Sequence, residues 1–233
     1  MSVGRISSFQ SLGTVDGPGV RAVVFLQGCP LRCHCCHNPE TWKIDGGSEI
    51  SEDELLNKIL RCEKYFGSKG GVTFSGGEPL LQAGFLLSFI PRLKEKGINV
   101  AIDTSGCVLN EKTKQVIRLC DLILLDCKYT NNGDYLKYTG MSYDAFMSFL
   151  NFLQSINKST WLRQVIIPDI NDSPDSIKKL SKIKEQFSCI EKVELLPFRK
   201  LCIEKYKSEN IVFPFENIRE ATKEDIKKCL EYM

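Results

Sequence analysis

A cysteine-rich loop constrains this chain more than any other stretch of its sequence. Four of the eleven cysteines fall between Cys29 and Cys36, and Cys29, Cys33 and Cys36 follow the spacing Cys-x3-Cys-x2-Cys. A loop this short can wrap three thiolates around one compact metal centre. Structural zinc sites and electron-transfer clusters normally take four protein ligands, so a three-ligand site leaves one position for a bound molecule. The spacing therefore favours a catalytic metal centre.

The spacing of the loop alone leaves three alternatives to a catalytic centre open. They are a structural zinc completed by His34, Cys35 or His37, a disulfide pair, and unrelated buried thiols. No signal peptide precedes the loop, and unpaired cysteine-rich chains of this kind are typical of a reducing cytosol. We therefore expect a cytoplasmic protein whose cysteines are reduced.

Length and charge exclude several broad classes of protein. The 233 residues are enough to bury a full core, and we predict one domain over residues 1–233. Lys and Arg together number 31 against 29 Asp and Glu, which gives no field strong enough to indicate nucleic-acid binding. The apolar runs are too short to span a membrane. We expect a soluble protein with neither nucleic-acid nor membrane partners.

Six apolar, strand-like runs alternate with helix-like segments. The predicted strands are residues 20–27, 72–75, 99–103, 122–128, 161–167 and 192–197. The predicted helices begin after Ser51, cover 82–96, Glu111–Leu119 and 142–156, and begin again at Ser173 and Thr222. Such alternation implies right-handed crossovers and a parallel sheet. We predict an α/β fold, a partial (β/α)6 barrel with parallel strands and outer helices.

The unusual polar segments all follow predicted strand ends, where the active site of such a barrel lies. They are the cysteine loop 28–42, Gly76-Gly77-Glu78-Pro79, Asp103-Thr104-Ser105-Gly106, and Asp126 with Lys128. A flat, doubly wound sheet would instead concentrate its ligand at one switch point. No Gly-x-Gly-x-x-Gly loop is present to occupy such a point, so the barrel is preferred.

Three charged residues among these segments suit a zwitterionic ligand. Glu78 follows two glycines that let a ligand approach the backbone, so its carboxylate is placed to accept hydrogen bonds from an ammonium group. The alternative is a solvated turn residue. Asp126 and Lys128 are two positions apart on a strand and share one face, while Cys127 points the other way. They form either a complement to a zwitterion or a structural ion pair.

Together, Cys29-x3-Cys33-x2-Cys36 and Gly76-Gly77-Glu78-Pro79 resemble the radical S-adenosylmethionine superfamily. Further segments are similar to the pyruvate formate-lyase activating enzymes, in order and over nearly the whole chain. They are Gly13-Thr-Val-Asp-Gly-Pro-Gly19, Gln27-Gly-Cys29, Cys36-His-Asn-Pro39 with Thr41-Trp42, Asp103-Thr104, Leu125-Asp-Cys-Lys128 and Leu195-Leu-Pro-Phe198.

The resemblance implies a [4Fe-4S] cluster on Cys29, Cys33 and Cys36, with S-adenosylmethionine on its fourth iron. It implies that Glu78 and the adjacent Gly76 and Gly77 contact the methionine amino group, and that Asp126 and Lys128 bind the methionine end. The remaining cofactor positions implied are Cys35, Cys36, His37, Asp103, Cys127 and Arg199. A possible monovalent-cation site comprises Asp103, Thr104 and Asp126, and the substrate-peptide positions are Asp16, Arg21 and Arg163.

The activity implied by the resemblance is reductive cleavage of S-adenosylmethionine and removal of a hydrogen from a backbone glycine of a partner enzyme. The electron donor would be flavodoxin or ferredoxin, and we expect a monomer. Two positions depart from the family. Cys35 stands where an aromatic residue is usual, and Arg199 stands where a histidine usually reaches the nucleoside. Both changes affect the adenosyl pocket rather than the reaction.

The spacing between the motifs narrows the range of candidate partner enzymes. Only Cys62 lies between Cys36 and Gly76, which leaves no ferredoxin-like insert of the kind that activators of several other glycyl-radical enzymes carry. Pyruvate formate-lyase is therefore the expected target. The alternatives are an activator of another glycyl-radical enzyme, including the anaerobic ribonucleotide reductase, and a non-catalytic zinc protein.

Overall fold

The computed structural model describes residues 2–233 and divides the chain into two compact units. The first comprises the residues up to Pro30, Thr41–Thr104 and Val108–Leu124. The second comprises Leu31–Glu40, Ser105–Cys107 and Leu125–Met233. The cysteine loop thus contributes Cys29 to the first unit and Cys33 and Cys36 to the second.

The first unit is built on a mixed sheet. Its strands are β1 (Val3–Gly13), β2 (Arg21–Leu26), β3 (Ser48–Ser51), β4 (Gly71–Gly76) and β5 (Asn99–Thr104), and β6 (Leu122–Asp126) begins there. The order is β3-β1-β2-β4-β5. β2, β4 and β5 are parallel, whereas β1 runs antiparallel to both β2 and β3. Its helices are α1 (Glu52–Leu60), α2 (Ala83–Glu95) and α3 (Glu111–Leu119).

The core of the first unit lies between this sheet and its helices. Ala22, Val23 and Val24 are all completely buried, which is the pattern of a parallel strand covered on both faces. Leu55 and Ile59 of α1 are also fully enclosed. Burying one such aliphatic side chain stabilises a fold by about 1.5–3 kcal/mol, so these apolar runs position the strand ends firmly.

The second unit pairs β7 (Thr160–Ile166) in parallel with β8 (Ile190–Pro197), and the last two residues of β6 belong to it. Its helices are α4 (Asn132–Thr139), α5 (Tyr143–Ser155), α6 (Pro174–Gln186), α7 (Ile203–Ser208) and α8 (Lys223–Glu231). Ser142, Ser173 and Thr222 cap α5, α6 and α8 by accepting hydrogen bonds from backbone amides. The predicted starts of the last two helices are therefore correct.

All six predicted strands are present, but four elements were not predicted. β3 is the edge strand, and β1 lies between it and β2; both strands mix polar and apolar residues, so they lack the apolar run that marked the parallel strands. α4 and α7 are only eight and six residues long. Few turns give too little periodicity to distinguish a short helix from a loop. β6 also ends at Asp126, which leaves Lys128 just beyond the strand.

Candidate active site

The Gly76-Gly77-Glu78-Pro79 turn follows β4, and the Glu78 side chain is completely buried. Glu78 Oε1 accepts hydrogen bonds from Thr104 Oγ1 at 2.7 Å and from the Leu80 amide at 3.2 Å. Removing a carboxylate from water is costly unless hydrogen bonds or an opposite charge compensate it. Glu78 is therefore not a solvated turn residue, because its carboxyl group is enclosed and hydrogen-bonded by the protein.

Close backbone contacts join this turn to the start of the cysteine loop. The Glu78 amide donates to Gly28 O at 2.8 Å, and the Gly28 amide donates to Thr41 O at 2.8 Å. A Cβ atom at position 77 would lie 2.2 Å from Gly28 O. Gly28 itself has a φ of +97°, which glycine adopts without strain. Any larger residue at Gly77 would push the two loops apart.

Two residues predicted to line a cation site lie beside the Glu78 turn. Asp103 Oδ2 accepts a hydrogen bond from Ser75 Oγ at 2.7 Å, and Thr104 is 2% exposed. Their oxygen atoms are the kind of ligand that hard cations prefer. The third predicted member, Asp126, belongs to the second unit.

The second half of the cysteine loop is hydrogen-bonded to the end of α4. The His34 amide donates to Tyr138 O at 2.9 Å, and the Arg32 amide donates to Thr139 O at 3.3 Å. Within the loop, the Cys36 amide donates to Cys33 O at 3.1 Å. α4 therefore holds the segment that carries Cys33 and Cys36, although this helix was not predicted.

A short helix supports the same segment from its other end. Lys205 in α7 donates to Asn38 Oδ1 at 2.8 Å and forms an ion pair with Glu40 at 2.6 Å. The Asn38 amide in turn donates to Cys36 Sγ at 3.4 Å. A thiolate that accepts a backbone hydrogen bond is stabilised, and such bonds also tune a metal that the thiolate ligates.

The Asp126–Lys128 pair lies beside the cysteine loop. Lys128 Nζ and Asp126 Oδ2 are 2.5 Å apart, and both side chains are mostly buried. Burial by itself would lower the pKa of Lys128, but Asp126 and the Cys33 and Cys35 thiols outweigh it, so this pKa lies well above its ordinary value. Lys128 is therefore a buried cation that interacts electrostatically with two of the loop cysteines.

Of the other residues predicted to contact the cofactor, His37 and Arg199 lie next to each other. His37 Nε2 lies 2.9 Å from Arg199 O, and the Arg199 guanidinium is 3.4 Å from Glu220. Cys35 is buried, and that burial raises the pKa of its thiol to about 11. Cys127 is completely enclosed, and its thiol donates a hydrogen bond to Tyr129 O.

The predicted peptide-binding residues have very different surroundings. Arg21 is fully buried at the start of β2, where its guanidinium donates to Thr73 Oγ1 at 2.7 Å and Val72 O at 2.7 Å. Burial lowers the pKa of Arg21 to about 10. A peptide contact would have to replace these hydrogen bonds, so the structure favours a structural role for Arg21, at the opposite end of β2 from the cysteine loop.

The other two predicted peptide-binding residues differ in burial, since Arg163 is buried and Asp16 is partly exposed. Arg163 is 4% exposed and pairs with Glu194 at 2.8 Å. Asp16 is partly exposed, and its backbone carbonyl accepts a hydrogen bond from Thr73 at 2.6 Å. For these two residues the peptide contact stays a prediction.

Two further buried polar residues, Tyr129 and Gln164, were not among the predicted site residues. Tyr129 and Gln164 each carry a side-chain oxygen that is buried without a hydrogen-bond partner in residues 2–233. Gln164 Nε2 donates to Cys127 O at 3.1 Å. Two features of the sequence could have drawn attention to these residues. Gln164 is a polar residue inside an apolar strand, and Tyr129 directly follows the Leu125-Asp-Cys-Lys128 motif.

The donor chemistry of the cysteine loop suits an iron–sulfur centre. No disulfide joins any of the cysteines within residues 2–233, so the loop cysteines are not committed to one. Cysteine thiolates are the usual ligands of such clusters. In the same described range, no three or more His, Cys, Asp or Glu side chains are arranged so that they could hold a single metal ion.

Comparison with solved structures defines the class of fold. A radical SAM methyltransferase from Sphaerobacter thermophilus superposes with a TM-score of 0.65 at 14% sequence identity, covering 91% of this chain and 63% of that one. A domain of pyruvate-formate lyase-activating enzyme from Bacteroides vulgatus gives a TM-score of 0.58 at 23% identity, covering 70% of this chain and 92% of that one. The fold is that of the radical S-adenosylmethionine enzymes, as the sequence predicted.

Comparison of sequences is more specific. The family model described as a 4Fe-4S single cluster domain matches residues 15–142. The pyruvate formate-lyase-activating enzyme of Clostridium pasteurianum is 45% identical over 234 residues, covering 100% of this chain and 98% of the relative. The chain belongs to the family of pyruvate formate-lyase-activating enzymes. The cofactors predicted from the resemblance, an iron–sulfur cluster and S-adenosylmethionine, are confirmed, and the alternative of a non-catalytic zinc protein is set aside.

Among the helices of residues 2–233, none combines the length and the apolar character that crossing a bilayer requires.

The contact between Gly77 and Gly28 generates a stability prediction. Gly77→Ala should lower the free energy of unfolding by about 1–3 kcal/mol, because the added methyl group overlaps Gly28 O and the backbone must move. Urea denaturation of the apoprotein measures this change.

Gly84→Ala is the matched control, because a Cβ atom there meets nothing within 4 Å and the residue lies inside α2. That variant should gain about 0.5–1 kcal/mol. Equal effects of the two substitutions would contradict the close approach of the two loops.

Proposed function

We propose that this protein reductively cleaves S-adenosylmethionine and removes a hydrogen atom from a backbone glycine of pyruvate formate-lyase. The observation that carries the proposal is the buried Asp126–Lys128 pair beside Cys33 and Cys35. A zwitterion needs both signs of charge, and a metal-bound one needs them next to the thiolates. Membership of the activating-enzyme family supports the same reaction.

We propose Cys29, Cys33 and Cys36 as the cluster ligands and Cys35 as a buried, non-ligating neighbour. A cluster held by these three thiolates would supply the single electron needed for reductive cleavage of S-adenosylmethionine. The chain's own contribution is to position the reactants and exclude water. Adjacent Cys35 and Cys36 can hardly both reach one cluster without strain, which favours Cys36.

The methionine end of the cofactor is assigned to charges of opposite sign. Lys128, kept protonated by Asp126, would bind the carboxylate, and the buried Glu78 would accept hydrogen bonds from the amino group. Gly76 and Gly77 would let the cofactor approach the backbone. We assign His37 and Arg199 to the nucleoside side, and Cys127 to a supporting position through its backbone. A monovalent cation held by Asp103, Thr104 and Asp126 completes the proposed site.

The substrate side rests on fewer observations. We propose that Asp16 and Arg163 meet the peptide that carries the glycine, and that Arg21 stabilises the strands beneath it through its buried hydrogen bonds. The hydrogen must pass between atoms in near contact, so the partner's glycine has to lie in an extended or extruded segment.

Several finer expectations complete the proposal. We propose one radical S-adenosylmethionine domain over residues 1–233 with no ferredoxin-like insert, acting as a monomer in the cytoplasm. Flavodoxin or ferredoxin would donate the electron. Another glycyl-radical enzyme is the second candidate for the partner, because absence of the insert narrows the target without naming it.

Single substitutions test the cluster ligands. Replacing Cys29, Cys33 or Cys36 with alanine should abolish the binding of about four irons in anaerobically reconstituted protein, because three thiolates are the minimum set for such a cluster. Cys35→Ala should retain the iron. Iron and sulfide analysis decides the matter, and a cluster that survives Cys36→Ala but is lost in Cys35→Ala would show that the ligand assignment is wrong.

Lys128→Ala should leave the iron content unchanged and weaken S-adenosylmethionine binding about tenfold to a hundredfold, since a hydrogen bond to a charged group contributes about 1.5–3 kcal/mol. Equilibrium binding to the reconstituted protein measures the affinity.

Lys94→Ala is the control for this substitution. Lys94 also pairs with an aspartate, Asp121, but its side chain is 40% exposed in the first unit. This variant should bind the cofactor normally. Unchanged affinity in Lys128→Ala would instead assign Lys128 to a structural ion pair.

The partner is tested by electron paramagnetic resonance. Pyruvate formate-lyase mixed anaerobically with this protein, S-adenosylmethionine and a reductant should show a glycyl doublet. Asp16→Asn should spare cofactor cleavage but reduce the doublet. A doublet on a different glycyl-radical enzyme, with none on pyruvate formate-lyase, would keep the chemistry and refute the partner.

A further inference from the structure

Tyr129 carries a buried hydroxyl group that the protein leaves without a hydrogen-bond partner. The residue is 1% exposed, and its hydroxyl oxygen is fully buried with no donor or acceptor in reach among residues 2–233. Leaving such a group unsatisfied costs about 1–3 kcal/mol, and buried polar groups in native proteins are rarely left in this state. A partner outside the polypeptide would explain it.

The Tyr129 ring is held in place by its neighbours. It packs against Tyr138 at a centroid distance of 5.1 Å and edge-on against Tyr135 at 6.1 Å. The Tyr135 hydroxyl accepts a hydrogen bond from the Lys128 amide at 3.0 Å, so it is already engaged. The Tyr138 carbonyl accepts the hydrogen bond from His34 in the cysteine loop. Tyr129 therefore lies in an aromatic cluster on which the loop rests.

Two cysteines of the loop are among the groups that act electrostatically on the Tyr129 hydroxyl. After burial itself, the Cys35 and Cys33 thiols are the largest influences that raise its pKa, and Lys128 opposes them. The protonated hydroxyl is thus the strongly favoured form, and a protonated phenol is a hydrogen-bond donor. The geometric link to the loop is Tyr138, whose ring packs on Tyr129 and whose carbonyl accepts the hydrogen bond from the His34 amide, next to Cys33 in sequence.

We propose that the Tyr129 hydroxyl donates a hydrogen bond to a sulfur atom of the iron–sulfur cluster on its Cys33 side and thereby raises the reduction potential of that cluster. The inference deepens the proposed function, because it assumes a cluster on Cys29, Cys33 and Cys36. Hydrogen bonds to the sulfurs are among the factors that set such potentials. A donor stabilises the reduced cluster more than the oxidised one, because the reduced cluster carries more negative charge.

Tyr129→Phe is the first test, because it removes one oxygen atom and keeps the ring. Redox titration of the reconstituted protein, followed by electron paramagnetic resonance without S-adenosylmethionine, should give a more negative midpoint potential. We expect the oxidised-to-reduced ratio at a fixed potential to rise about threefold to tenfold, and tenfold corresponds to about 59 mV for one electron.

Tyr143→Phe is the matched control. Tyr143 belongs to the same group of aromatic rings, packing on Tyr135 at 5.6 Å, but no loop cysteine influences its hydroxyl. Its midpoint potential should equal that of the unmodified protein. An equal shift in both variants, or no shift in Tyr129→Phe, would refute the inference.

Tyr129→3-fluorotyrosine is a second variant that keeps the hydroxyl and makes it a stronger donor. Its midpoint potential should move in the opposite direction, toward more positive values, which a loss of packing cannot produce. This variant keeps the test decisive if Tyr129→Phe does not fold, and a negative shift or none would overturn the inference.

Stability of the apoprotein separates this role from a purely structural one. Because the hydroxyl is unpartnered without the cluster, Tyr129→Phe should leave the apoprotein equally stable or more stable. A marked loss of stability would mean that the hydroxyl serves the fold and would count against the proposal.

Iron analysis comes first. Unmodified protein that binds no iron would refute the proposed function, whereas a full cluster whose potential does not shift in Tyr129→Phe would refute this inference alone.

Discussion

The backbone contact between Gly28 and the Glu78 turn is the constraint on which the first half of the site depends. The Glu78 amide donates to Gly28 O, and no Cβ atom fits between the two loops at Gly77. The contact joins the start of the cysteine loop to the end of β4. It also buries the Glu78 carboxylate, which Thr104 and the Leu80 amide then stabilise.

Burial of charge is a property that the two units share. Glu78 in the first unit, and Asp126 with Lys128 in the second, are each removed from water and compensated by hydrogen bonds or an opposite charge. An exposed ion pair contributes little, whereas a buried one holds its geometry because breaking it leaves an uncompensated charge.

The second half of the cysteine loop depends on helices rather than on strands. Backbone hydrogen bonds to the end of α4 and the contacts of Lys205 with Asn38 and Glu40 hold the segment with Cys33 and Cys36. The aromatic cluster beneath it contains Tyr129, whose unpartnered hydroxyl suits an electron-rich sulfur partner. α4 therefore contacts both the loop, through its backbone, and Tyr129, through the rings of Tyr135 and Tyr138.

The sequence by itself determined the parallel strands, the order of the motifs and the family, because buried parallel strands need continuous apolar runs and the cysteine spacing is local. Tertiary structure alone decided that β1 and β3 complete the sheet, that α4 supports the loop, and that Arg21 and Tyr129 are buried. β1 and β3 lack a continuous apolar run, and a short helix has too few turns to show periodicity, so their sequences resemble loops. Whether a charged or hydroxyl-bearing side chain is buried depends on partners that are distant in sequence, such as Thr73 for Arg21, and no local pattern records them.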